Sequence, residues 1–344
     1  MADIADLYKG TGISKDQLSD DGEPCILYGE LYTKYKSETI REVVSKTNID
    51  NTKLVRSKAN DVIIPCSGET AEDIATARCV LNGNILLGGD LNIIRLHGYD
   101  GAFMSYQLNG KRKYDIAKVA QGVSVVHLYG EHLKGVKTIN PCLEEQKKIA
   151  GLLALLDERI TTQNKIIDKL QSLIKGIAYK LFQTARTTKP LLEFAPNITS
   201  GTDKSGSGTI PLYGSTGIIG TVKNASQKGN IVLVARVGTI GTVQYVNEPC
   251  GVSDNALIVE AGEMTKYIYH FLKTYNFARI TSGTTQPLIT ASSLKKAAIP
   301  TYDIESQTRI VLCLNGLEKK LDIAKQYLSE IAVMKQYLLR QMFI

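Results

Sequence analysis

Glu144-Glu145-Gln146-Lys147-Lys148-Ile149-Ala150-Gly151-Leu152-Leu153-Ala154-Leu155-Leu156-Asp157-Glu158-Arg159-Ile160 returns later in the chain as Glu305-Ser306-Gln307-Thr308-Arg309-Ile310-Val311-Leu312-Cys313-Leu314-Asn315-Gly316-Leu317-Glu318-Lys319-Lys320-Leu321. One constant, ungapped offset carries Tyr114–Phe182 onto Tyr275–Phe343, matching Gly122 with Gly283, Leu133 with Leu294, and Lys134 with Lys295. A repeat of this kind outranks any local motif as a guide to architecture. From Ile149 the apolar residues step by four and three through Leu153, Leu156, Ile160, Ile167, Leu170, Ile174, Ile177 and Leu181, with Gln163 as the one polar interruption. The second copy steps through Ile310, Leu314, Leu317, Leu321, Ala324, Leu328, Ile331, Lys335, Leu338 and Met342. This is a heptad seam, and Leu, Ile, Lys, Glu and Gln are fair to good helix formers. The spacing predicts two helices of about 38–40 residues, roughly 60 Å long at 1.5 Å per residue.

Upstream of each helix the matches thin and drift. Leu27-Tyr28-Gly29 echoes Leu212-Tyr213-Gly214, Asp61-Val62-Ile63-Ile64 echoes Asn230-Ile231-Val232-Leu233, and Asp90-Leu91-Asn92 echoes Asp254-Asn255-Ala256. Short β-branched runs between glycines predict strands at 205–260 and, in the first copy, at 24–32, 61–66, 78–88 and 91–96. Lys266–Phe277 reads as a short helix. The expected fold is α+β. Two mixed α/β lobes with curved, mostly antiparallel sheets occupy 1–140 and 186–300. Long helices at 141–185 and 301–344 separate them. A pseudo-twofold axis across the helices would make them an antiparallel coiled coil.

The chain has 344 residues, 43 % hydrophobic and 22 % charged, and a net charge of +7. That suits a two-domain globular protein. The charge is uneven: residues 1–140 sum to −1 and residues 186–300 to +5. No apolar run reaches the roughly 18–20 residues of a membrane span, and the acidic start lacks a signal peptide's basic region. Six scattered cysteines without a C-x-x-C pair argue against zinc and against a disulfide framework, and point to the cytoplasm. No phosphate-binding loop, dinucleotide fingerprint or H-E-x-x-H is present. Asn140-Pro141-Cys142-Leu143 lacks the second proline and the aromatic ring of an adenine methyltransferase motif. No catalytic residue, cofactor or metal is expected.

Ser282-Gly283-Thr284-Thr285-Gln286-Pro287-Leu288-Ile289, then Leu294-Lys295-Lys296, Ile299-Pro300 and a Glu305-led heptad helix resemble the end of a target-recognition domain in specificity subunits of Type I restriction-modification enzymes. The first half carries the same pattern from His127-Leu128 to Ile160. Val234-Ala235-Arg236-Val237-Gly238-Thr239-Ile240-Gly241, followed by Ser253-Asp254-Asn255-Ala256, is typical of such domains. The resemblance implies that each lobe reads one half of a split, asymmetric double-stranded DNA target. It also implies that two modification subunits methylate adenine on this platform and that motor-nuclease subunits complete the restriction enzyme. Two other readings stand: a scaffold of two β-rich lobes that binds only proteins, and an enzyme whose site is assembled between the lobes without a linear motif.

Basic side chains supply phosphate contacts and groove contacts supply specificity. Candidates in the first lobe are Lys34, Lys36, Arg41 and the run Lys111, Arg112, Lys113. In the second they are Lys204, Lys223 and Lys295, with Arg236, whose fork a turn at Gly238 and Thr239 could aim at guanine or phosphate. Ser282, Thr284, Thr285 and Gln286 offer small hydroxyls and an amide.

Overall fold

Both heptad runs fold as single helices, Leu143–Gln183 and Ile304–Gln341. Every seam position named above is buried or half-buried, whereas Leu152, Leu155 and Leu173 between them stay exposed. Each helix starts with the same device. The Gln146 amide donates to the Pro141 carbonyl at 2.7 Å, and the Gln307 amide donates to the Tyr302 carbonyl at 2.9 Å. These bonds fasten the incoming chain to the first turn, where backbone groups lack helical partners.

The computed structural model describes residues 1–50, 52–122, 125–283 and 287–343. Two compact units result: Met1–Asn164 with Gln326–Ile344, and Lys165–Lys325.

In the first unit the helix segments run antiparallel. Ala150 and Leu153 share a cluster with Leu339 and Phe343, while Arg159, further along, donates to the Tyr327 hydroxyl at 3.3 Å. The lobe holds a five-stranded sheet in the order Ala5–Lys9, Leu91–Leu96, Asp61–Pro65, Arg78–Val80, Thr39–Ile40, antiparallel except for its last pair. A second sheet sets Glu23–Ile26 antiparallel to Ser45–Thr47 and parallel to Leu86–Leu87.

The second unit repeats this plan. Thr199–Ser200, Ala256–Val259, Ile231–Ala235 and Val243–Val246 form an antiparallel sheet in that order. Ile210–Tyr213 lies antiparallel to Ile218–Val222 and parallel to Gly251–Val252. Its core joins Ala178 and Phe182 from the end of one helix to Ile310 and Leu314 from the start of the other, so these segments are antiparallel too. Phe182 meets Tyr267 and Phe271 edge-on at 5.5 and 5.4 Å. Full burial of one such ring is worth about 1.5–3 kcal/mol.

Two strand expectations need correction. The 24–32 run ends as a strand at Ile26, and Glu30–Thr33 is helical. The Glu30 carboxylate accepts the Leu27 N–H at 3.0 Å and turns the chain there. The 78–88 run breaks into Arg78–Val80 and Leu86–Leu87, with Asn84 at a positive φ of 66° between them. Asparagine tolerates that left-handed conformation better than most residues.

Candidate nucleic-acid interface

Arg236 follows the strand Ile231–Ala235 directly. Its N–H donates to the Asn255 carbonyl and its carbonyl accepts the Ile289 N–H, both at 3.0 Å. The chain then turns back. Gly241 N–H donates to the Ala235 carbonyl at 3.0 Å, and the Thr242 hydroxyl donates to the Thr239 carbonyl at 2.9 Å. Gly241 is required, because its φ is +81° and an added Cβ would lie 2.7 Å from the Phe277 ring. Gly238, at φ +71°, is exposed beside Thr239. Among the described residues no acidic side chain pairs with Arg236, and its buried Nε has no partner. A cation held by its backbone with an unpaired fork is poised for an anion or a base edge.

A second turn stands beside this one. The Gln244 amide donates to the carbonyls of Gly214 and Ser215 at 2.9 and 3.2 Å. Ile218 and Ile219 follow, 61 % and 51 % exposed. The loop carrying Lys204 runs along the same strand, with Gly206 N–H on the Thr221 carbonyl at 2.9 Å. Lys204 and Lys223 are exposed. Ser282 lies in the hairpin Thr281–Ser282/Leu288–Ile289, whose Ile289 bonds to Arg236. Thus one edge gathers Arg236, Gly238, Thr239 and Ser282, with the Lys204 loop and Lys223 on the adjoining sheet. Lys295 ends the helix Ala291–Lys295 in the layer where Leu191 N–H meets the Ala297 carbonyl. Thr284, Thr285 and Gln286 lie outside the described residues.

The first-lobe cations lie around the helix Glu30–Thr33 and at the start of the helix Lys113–Val119. Lys34 is 2.7 Å from the Glu30 carboxylate and donates to Ser45 Oγ at 2.6 Å. Lys36 donates to the Tyr32 carbonyl at 3.1 Å, and Arg41 is exposed. Ser37, between them in sequence, donates to Asp157 on the first long helix at 2.8 Å. Arg112 is 3.3 Å from Asp115, and Lys111 and Lys113 flank it. The preceding Gly110 is pressed against Leu339, where an added Cβ would lie 2.6 Å from the carbonyl oxygen.

The backbone position equivalent to Arg236 is Cys66. Its N–H donates to the Asp90 carbonyl at 2.7 Å and its carbonyl accepts the Leu128 N–H at 2.8 Å. Cys66 is buried, and burial pushes its thiol up to about 11. Sequence matching missed this equivalence, because the strand echoes it finds lie one residue out of register.

The family described as Type I restriction modification DNA specificity domain matches residues 191–333. Over those residues the chain is similar to a Type I DNA specificity domain. The match covers the edge around Arg236, the hairpin of Ser282 and most of the second long helix. A curated relative, the Type I restriction enzyme MjaVIII specificity subunit of Methanocaldococcus jannaschii, is 28 % identical over 180 residues, which is 52 % of this chain and 40 % of the relative. The whole chain superposes on 94 % of the S subunit of a Type I restriction-modification system from M. genitalium, with a TM-score of 0.69 at 19 % identity. A chain from a structural study of type I R-M complex assembly and conformational transition aligns over 98 % of this chain and 95 % of its own length, with a TM-score of 0.59 at 14 % identity. At these identities the likeness is one of fold, and it extends over both units. No described helix is long and apolar enough to cross a membrane.

Proposed function

We propose that this chain is the DNA-specificity subunit of a Type I restriction-modification enzyme. Each lobe reads one half of a bipartite, asymmetric duplex target. The chain performs no chemistry itself; it directs adenine methylation by two modification subunits, and cleavage by motor-nuclease subunits where these are present, in the cytoplasm. One observation carries the reading. The specificity-domain match falls on one lobe, and the other lobe, outside that match, repeats its strand-pairing plan, with one further strand in each of its two main sheets, and repeats at Cys66 the backbone bonds of Arg236. Two readers of one architecture with divergent edges are what a split asymmetric target requires.

The division of labour follows from the chemistry of the edges. Lys204 and Lys223 suit phosphate oxygens, which position without specifying, whereas Arg236 can bond a guanine edge with two parallel N–H donors. The test is a duplex shift assay on the chain assembled with its modification subunits, together with mapping of methylated adenines. Salt-sensitive, sequence-dependent binding and a bipartite methylated motif support the reading. Binding of proteins but no DNA by the assembled complex would favour the scaffold.

A further inference from the structure

We infer that the first lobe reads DNA through Gln121, His127, Tyr129 and His132, a neutral surface of rings and an amide, and not through its lysines. The inference rests on the proposed function and names the contact surface of one lobe within it. In the second lobe Ser282 pairs with Leu288 across the hairpin that bonds to Arg236. In the first, Gln121 pairs with His127 at the matching place, with reciprocal backbone bonds of 2.9 and 2.7 Å. The repeat offset that matches Gly122 with Gly283 also carries Gln121 onto Ser282 and His127 onto Leu288. The same edge is therefore present in both lobes, built on different side chains.

At the place of Arg236 the first lobe has no cationic side chain, and the exposed Lys9 lies near enough to Cys66 to oppose the burial that raises its thiol. Cys66 replaces Arg236, and the Ser67–Gly68 strand pairs with Val126–His127. In place of a guanidinium fork stand three rings in a row. His127 is exposed and stacks on Tyr129 at 6.2 Å between centroids, with an interplanar angle of 18°. Tyr129 is 52 % exposed and meets His132 edge-on at 5.4 Å. The Nδ1 of His132 is buried without a hydrogen-bond partner among the described residues. The nearby Glu131 is engaged by Lys134 at 2.6 Å.

Rings pinned against one another present flat faces and fixed polar tips at little entropic cost. Imidazole nitrogens, a phenol and an amide can donate to and accept from base edges and phosphates without net charge. That suits a lobe whose own sum is −1. Lobe one would then add specificity while adding little to counterion release, which scales with the phosphates neutralised by Lys and Arg.

The experiment uses the chain assembled with its modification subunits and a duplex carrying the mapped target. Binding is measured for wild type, H127A/Y129A, the milder H127Q/Y129F and R236A, with single base changes in each half-site and at several salt concentrations. The inference expects H127A/Y129A to lose about tenfold or more of the discrimination in one half-site only. Its salt slope should stay unchanged. H127Q/Y129F should shift the same half-site by a smaller factor. R236A should affect the other half. Unchanged discrimination in both double variants overturns the inference while leaving the proposed function standing. So does loss in both half-sites from the well-folded H127Q/Y129F. A wild-type complex without sequence-specific binding overturns both.

Discussion

Lys335 occupies a seam position where the heptad rule asks for an apolar side chain. It is buried and joined to two carboxylates, Glu38 of the lobe and Asp157 of the first helix, the latter at 2.5 Å. The Tyr106 hydroxyl also donates to Asp157, at 2.7 Å. Burial is the main influence on Glu38 and raises its carboxyl above the usual range, opposed by the Lys335 charge. Lys335→Ala strands both carboxylates, and unfolding in urea should show a loss of about 3–5 kcal/mol. K335M combined with E38Q and D157N should recover most of it. A loss under about 1 kcal/mol for the single variant would mean that the network does not hold the lobe to the helices. Arg236 makes a different kind of prediction. Its removal leaves the backbone bonds of its turn intact, so stability should hold. Discrimination at one half-site should fall by about 1–3 kcal/mol in duplex binding assays. Neither role was equally legible. A lone arginine before a glycine turn advertises exposure, whereas a seam lysine gives no sign of a partner, Glu38, 297 positions away in sequence.

At the scale of elements, the helix starts are the most legible feature, because Gln146 and Gln307 recur at one offset and do one job. They are not equally costly to lose. Gln146 also accepts the Asp100 N–H at 2.9 Å and is fully buried, whereas Gln307 is only half-buried. Gln146→Ala leaves two half-buried polar groups without this partner and should cost about 1–3 kcal/mol in chemical denaturation, against about 1 kcal/mol for Gln307→Ala. Equal losses would show that the Asp100 contact contributes nothing. The short helix Thr265–Leu272 carries His270, buried and bonded to Asn315 at 2.8 Å. Burial lowers its pKa below 6.5, with Asn315 and Glu318 opposing. The unfolded chain therefore binds the proton first, so the stability due to His270 is complete above pH 6.5 and is lost as the pH falls through the lowered value. Thermal unfolding between pH 5 and 7 should show a smaller decline for His270→Gln than for wild type. Parallel declines would place the titration elsewhere. The lobes were less legible than the helices. Their strands run two to six residues, too few to fix a register by pattern, and a one-residue slip changes which face each side chain takes. That slip is why the sequence pattern does not align Cys66 with Arg236.

At the scale of the whole molecule, the fold repeats its framework and varies its edges. Residues 186–300 carry the edge around Arg236, whose described bonds close within the second unit. The first-lobe edge likewise closes on itself through Cys66, Asp90 and Leu128. Replacing 186–300 by the corresponding lobe of another specificity domain should therefore change one half of the target and leave the other. The most direct test is a genome-wide map of methylated adenines in cells that supply the modification subunits. Cells would carry the wild-type chain, the lobe-swapped chain or neither. The account predicts a bipartite motif that disappears without the chain and has one half rewritten by the swap. A motif that persists without the chain, or one in which both halves change, would contradict it.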